Sequence, residues 1–155
     1  MKRIFVTAVA ALAVTAAAFF AACSAPVRLV LYNTETGQVY RSFAAAEGME
    51  FSVEFIHSVN QSPVRDVFVI RDGAIVADRT IYAAFGAGVQ STLEEGQTLE
   101  YDSQGNMVVS GFDTVFPAVK YIVGTVSDHV LRIEGESISL TELCGKNAHI
   151  AFELR

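Results

Sequence analysis

"FSVEFIHSVNQSPVRDVFVIRDGAIVADR", Phe51 to Arg79, decides the fold. Phe51, Val53 and Phe55 alternate with Ser52 and Glu54, the period of a strand with one buried face. The next inward position holds His57. If "NQSP" (Asn60 to Pro63) is the whole turn, Val59 faces Val64 and Phe55 faces Phe68. Val53 then faces Ile70, and His57 faces Asp66. Asp72-Gly73 is a strong two-residue hairpin signal. It pairs Arg71 with Ala74, so that Ile70 faces Ile75, Phe68 faces Ala77 and Asp66 faces Arg79. The two registers predict His57, Asp66 and Arg79 side by side on three strands, with Cβ atoms of opposed residues ~5 Å apart. A slip of one residue in either hairpin sends the partner to the other face.

Two readings of that row stay open. A buried histidine beside an aspartate is a common structural pair, its burial offset by hydrogen bonds. Alternatively the row floors a pocket for a small anion, with Arg79 as a planar donor fork and His57 as a titratable donor. "FGAG", Phe85 to Gly88, then supplies the rim through Phe85, Gly86 and Gly88. It lacks the remainder of Gly-x-Gly-x-x-Gly, which argues against a dinucleotide loop. A hydrolase or isomerase using His57 and Asp66 is the enzymatic alternative. No Gly-x-Ser-x-Gly surrounds a serine, and Ser58 points away from His57, so no catalytic residue is assigned.

Outward from this stretch the chain alternates strand and turn signals, with almost no helical periodicity. "VRLVLY" and "QVYRSF" form a first hairpin. "TLEYDSQGNMVVSG" forms another, and "HVLRIEGESISL" turns at Glu134-Gly135. "AHIAFELR" is a closing strand in which His149 faces solvent if Ile150 and Phe152 face inward. Asp128-His129 reads as a turn with a local Asp-to-backbone bond. About ten short strands predict an all-β antiparallel sandwich or partly open barrel built from hairpins, as one domain over residues 28–155.

The first 22 residues read differently. Lys2 and Arg3 precede an uncharged run rich in Ala and Val, followed by small residues around Cys23, the layout of an export signal. "FAAC", Phe20 to Cys23, resembles a bacterial lipobox. Cys23 is therefore the expected lipidation site, residues 23–27 a tether, and acyl chains the link to the membrane. The chain is expected to face the periplasm or cell exterior. Of the 11 basic residues in the chain, Lys2 and Arg3 leave with the signal. Nine then face 17 acidic ones, a formal charge of −8. No basic stripe of the kind nucleic acid requires is present. Of two cysteines, Cys144 is left as a small buried hydrophobe. Without Cys-x-x-Cys or a His pair at metal spacing, no metal or other cofactor is expected.

"FIHSVNQSPVRDVFVI", "AAFGAG" and "SDHVLRIEGESISLTEL" resemble an uncharacterised bacterial family, domain of unknown function 1850. The resemblance implies a small exported protein, often membrane-anchored and often encoded beside TRAP-type transporters of the TAXI branch. It implies no catalytic activity. The expected partner is then a TRAP-type permease or its solute-binding protein, with a small anionic solute as the candidate ligand. A purely structural envelope lipoprotein is the remaining alternative.

Overall fold

Alternating apolar residues and tight turns build nearly all of the regular structure. A computed structural model describes residues 26–59, 61–83 and 92–155. The expected export signal over residues 1–22, Cys23, Phe85, Gly86 and Gly88 lie outside the described residues. In chain order the strands are β1 (Arg28–Asn33), β2 (Val39–Ala44), β3 (Glu50–Ile56), β4 (Pro63–Arg71), β5 (Ala74–Tyr82) and β6 (Thr98–Tyr101). There follow β7 (Met107–Phe116), β8 (Val119–Ile122), β9 (His129–Ile133), β10 (Glu136–Ser139), a short helix α1 (Leu140–Cys144) and β11 (His149–Leu154). A four-stranded sheet, β2-β1-β11-β8, packs on a seven-stranded one, β10-β9-β3-β4-β5-β7-β6. Every pairing is antiparallel and neither sheet closes, so the expected sandwich is present.

The core lies between the sheets. Phe51, Val53, Phe68, Ile75, Leu131 and Ile133 face Leu29, Leu31, Val119, Ile150 and Phe152 across it. The Phe51 ring stacks on Phe68 and tilts against Phe152, both at 5.2 Å between centroids, so one side chain ties the layers together. Burying such a ring contributes ~1.5–3 kcal/mol.

The hairpin tips follow local chemistry. Asp72 and Gly73 have φ of 52° and 70°, and Glu134 and Gly135 have 51° and 81°. Two successive positive φ values match the right-handed twist of the flanking strands. Helix α1 was not anticipated. Its signal is Ser139-x-x-Glu142, in which the Ser139 hydroxyl accepts the Glu142 N–H at 3.0 Å. Cys144, at its end, packs on the core as a free thiol, and burial pushes its pKa up to about 11. His149 is partly exposed beside Glu35, as expected.

Two registers depart from expectation. The chain turns between His57 and Ser62 rather than at "NQSP": the His57 N–H donates to the Ser62 carbonyl, and the Gln61 N–H to the His57 carbonyl, each at 2.9 Å. Consequently Ile56 faces Pro63, Phe55 faces Val64, Val53 faces Asp66 and Phe51 faces Phe68. His57 is thus in the turn, not opposite Asp66. The second hairpin holds the expected pairs from Arg71↔Ala74 to Phe68↔Ala77, then shifts, so that Val67 faces Arg79 and Asp66 faces Thr80. Asp78 is the extra residue of a β-bulge, and a bulge reverses the faces of all that follows. The opposing strand β7 is irregular at the same place, where Ala77 meets Thr114 but Arg79 meets Ser110.

Candidate functional site

The predicted row is divided between three places. Asp66 keeps the inner face with Phe68, because the register change equals two whole pleats. His57 lies four positions beyond Val53, the partner of Asp66, about 13 Å along the strand. Its Nδ1 accepts the Val59 N–H at 3.2 Å, a local bond that closes the turn. Arg79 is on the outer face. Its fork donates to both oxygens of Glu50 at 3.0 Å, and it also pairs with Asp78. Hydrogen bonding from Arg79 is the main influence that lowers the Glu50 pKa, against the opposing effect of burial.

The outer face around Arg79 forms a concavity of about 340 Å³ that also includes Arg65, Arg132 and Ser52. Arg65 donates twice to Glu54 Oε2, at 2.9 and 2.6 Å, and Arg132 reaches the same carboxylate at 3.4 Å. All three guanidinium groups thus have a carboxylate partner on this face.

The inner face assembles a different cluster around Asp66. Thr80, brought inward by the bulge, donates its hydroxyl to Asp66 Oδ1 at 3.0 Å. Tyr121, from β8 of the opposite sheet, donates its hydroxyl to Oδ2 at 2.9 Å. Burial raises the Asp66 pKa, partly offset by these two bonds and by the nearby His129. The Tyr121 pKa is raised by burial and by the negative charge of Asp66.

His129 completes the cluster. It starts β9 rather than lying in a turn, and Phe55 is its cross-strand partner. The two rings stack at 5.2 Å with 12° between planes, and Tyr121 meets His129 edge-on at 6.1 Å. Nδ1 accepts the Gly124 N–H at 3.0 Å, which places the neutral ring's proton on Nε2. Burial lowers the His129 pKa, against the pull of Asp128 and Asp66. A Cβ at Gly124 would lie 2.1 Å from the Ser127 carbonyl, so only glycine fits this approach. Asp128 accepts the N–H of Thr141 at 3.0 Å, a distant partner that joins the local bond to the His129 backbone.

Sequence reasoning found Asp66 and missed Thr80, Tyr121 and His129. A signal for His129 was present: His129, Leu131 and Ile133 alternate with Val130 and Arg132, which puts the imidazole on the core face. Thr80 had none, because the bulge that turns it inward is set by neighbouring strands. Among the described residues no group of His, Cys, Asp and Glu could hold a metal ion.

The sheets differ in width, and β8 is an outer strand of the narrower one. Beside it the interior opens as a cleft. One cavity of about 440 Å³ is bordered by Asp66, Phe68, Phe116, Val119, Lys120 and Tyr121. A second of about 210 Å³ shares Asp66, Phe68 and Phe116 and reaches Thr80 and Phe112.

Fold and cleft define an antiparallel β-sandwich with a polar cluster between its layers. The family model described as Domain of unknown function (DUF1850) matches residues 51–140, and the chain belongs to that family. The match takes in every strand of the seven-stranded sheet together with β8, except Glu50 at the start of β3. No curated protein and no solved structure matches the chain.

Proposed function

We propose that this protein is an exported, lipid-anchored accessory protein of a TRAP-type (TAXI) transporter, acting by contact with the permease or its solute-binding protein. The leader over residues 1–22, followed by Cys23, supports the location, and the family resemblance supports the transporter. One observation carries the contact mode. β1 starts at Arg28, beside Leu154 and Arg155, and runs toward Asn33, which faces Ile150. Ile122, at the far end of β8, lies beside His149 and leads into the 124–128 loop. That loop adjoins the His57–Ser62 turn, because His129 faces Phe55. The end remote from the tether therefore presents Val59 at 66% exposure and Val126 at 99%, with Ile56 at 37%. Apolar side chains gathered on exposed loop tips suit a protein partner.

The small-anion mode loses its support, since Arg79 is committed to Glu50 on the outer face. The hydrolase or isomerase reading likewise needs His57 beside Asp66, and the β3–β4 register separates them. The test combines two variants. Val59→Asp with Val126→Asp should leave melting temperature and membrane attachment intact while abolishing co-purification with the permease or binding protein. Cys23→Ala should release the chain from washed membranes. Unchanged co-purification in the double variant overturns the contact surface. Retention of Cys23→Ala on the membrane overturns the lipid anchor.

A further inference from the structure

Asp66 is the uncompensated charge of the inter-sheet cleft. Its two hydrogen-bond donors, Thr80 and Tyr121, are neutral hydroxyls. Among the described residues no Lys or Arg forms an ion pair with it. A carboxylate has about four acceptor positions, so two bonds leave acceptor capacity on each oxygen. Removing such a charge from water is costly unless another charge meets it.

The surroundings indicate what would meet it. Phe68 and Phe116 border both cavities and Phe112 borders the smaller, which gives the carboxylate an aromatic enclosure. Aromatic faces attract cations, more strongly where water is excluded. A negative carboxylate within an aromatic wall is complementary to an ammonium ion carrying an apolar body, and it repels a carboxylate anion. The other charged or titratable groups around the cleft do not supply that cation. Arg79 borders the smaller cavity with its guanidinium turned to Glu50 and Asp78, and Lys120 is exposed on the rim. His129 is the remaining neighbour, and its burial favours the neutral ring.

We propose that the cleft binds a small organic ammonium ion, with Asp66 as its counter-ion and Phe68, Phe112 and Phe116 around its apolar part. Thr80 and Tyr121 orient the carboxylate. The site is separate from the loop tips of the contact surface, and either can fail without the other.

Three probes of one shape test this by calorimetry on the full-length protein in detergent near neutral pH: benzylamine, benzyl alcohol and benzoate. Benzylamine should bind at least about tenfold more tightly than benzyl alcohol, and benzoate should not bind. Asp66→Asn should weaken benzylamine about tenfold or more while leaving benzyl alcohol unchanged. Amide chemical shifts of the wild type, which need no variant to fold, should move at Thr80 and Tyr121 when benzylamine is added. Absence of benzylamine binding, binding of benzoate with similar affinity, unchanged affinity in folded Asp66→Asn, or shifts confined to other residues would each overturn the proposal.

Discussion

Asp66 and Arg79 sit on neighbouring strands of one sheet, yet they meet their charge requirements in opposite ways. Arg79 faces solvent and is surrounded by charge, with Glu50 and Asp78 both in contact. Asp66 faces the interior and is held by two hydroxyl dipoles. On the outer face water screens each charge, so pairs form at little cost and contribute little. Inside, a counter-charge would itself need desolvation, and the two hydroxyls orient the carboxylate without bringing a second charge out of water. The contrast separates the faces by role: the outer ion pairs cover the sheet, while the inner cluster leaves a charge able to engage a ligand.

The contrast can be broken by measurement. The largest effect should come from Phe51→Ala, which removes the ring between Phe68 and Phe152. It should lower stability by ~3–5 kcal/mol in urea unfolding. Arg79→Ala should cost less than ~1 kcal/mol in the same assay. If the two variants cost the same, the outer cluster is structural and the division of roles fails.

An intermediate effect belongs to the inner cluster. Tyr121→Phe deletes the donor to Asp66 Oδ2 while keeping the ring against Phe55 and His129. It should cost ~1–3 kcal/mol, as expected when a partly buried polar group loses its partner. Asp66→Asn should cost less, because one hydroxyl can keep donating to the amide oxygen while the other turns to accept from the new NH2. A Tyr121→Phe protein as stable as wild type would show that water replaces the phenol at the cleft mouth.

The smallest effect is one of sign. Asp66 has a folded pKa above its ordinary value of 3.8, so its contribution is full below 3.8 and lost as pH rises through the folded value. Glu50 has a folded pKa below its ordinary 4.5, so its contribution is full above 4.5 and lost as pH falls through the folded value. Acidification through this range should therefore raise wild-type stability relative to Asp66→Asn and lower it relative to Glu50→Gln. Urea midpoints measured against pH for both pairs check this, and parallel slopes would contradict the assignment of the two carboxylates to different environments.

What was legible in the sequence follows the range of the forces involved. Asp72-Gly73 and Glu134-Gly135 could be read because a two-residue turn is set by its own φ angles. The inner faces of β3, β4 and β9 could be read because burial imposes a period of two. The turn after β3 could not be, since it closes through backbone bonds of His57 with Ser62 and Gln61 and a local bond from the Val59 N–H to His57 Nδ1, a combination that no turn signal in its residues announces. Nor could the Asp78 bulge, which exists only where β4 and β7 set the pairing on either side. Tyr121 was unreadable as a partner of Asp66 because the two belong to different sheets.

The bulge at Asp78 acts on β5 as a frameshift acts on a message. Before it, Ile75 and Ala77 are spoken to the interior; after it, Thr80 and Tyr82 are, while Arg79 and Ile81 are handed to the solvent side. One residue sets the phase of the rest of the strand without altering any of its letters. The electrical character of the cleft is thus encoded in a spacing. Were Asp78 paired with Val67 in an unbroken ladder, Arg79 would fall opposite Asp66, where the guanidinium would neutralise the carboxylate. Whether that one residue is paired or bulged separates a carboxylate held by hydroxyls from a closed ion pair.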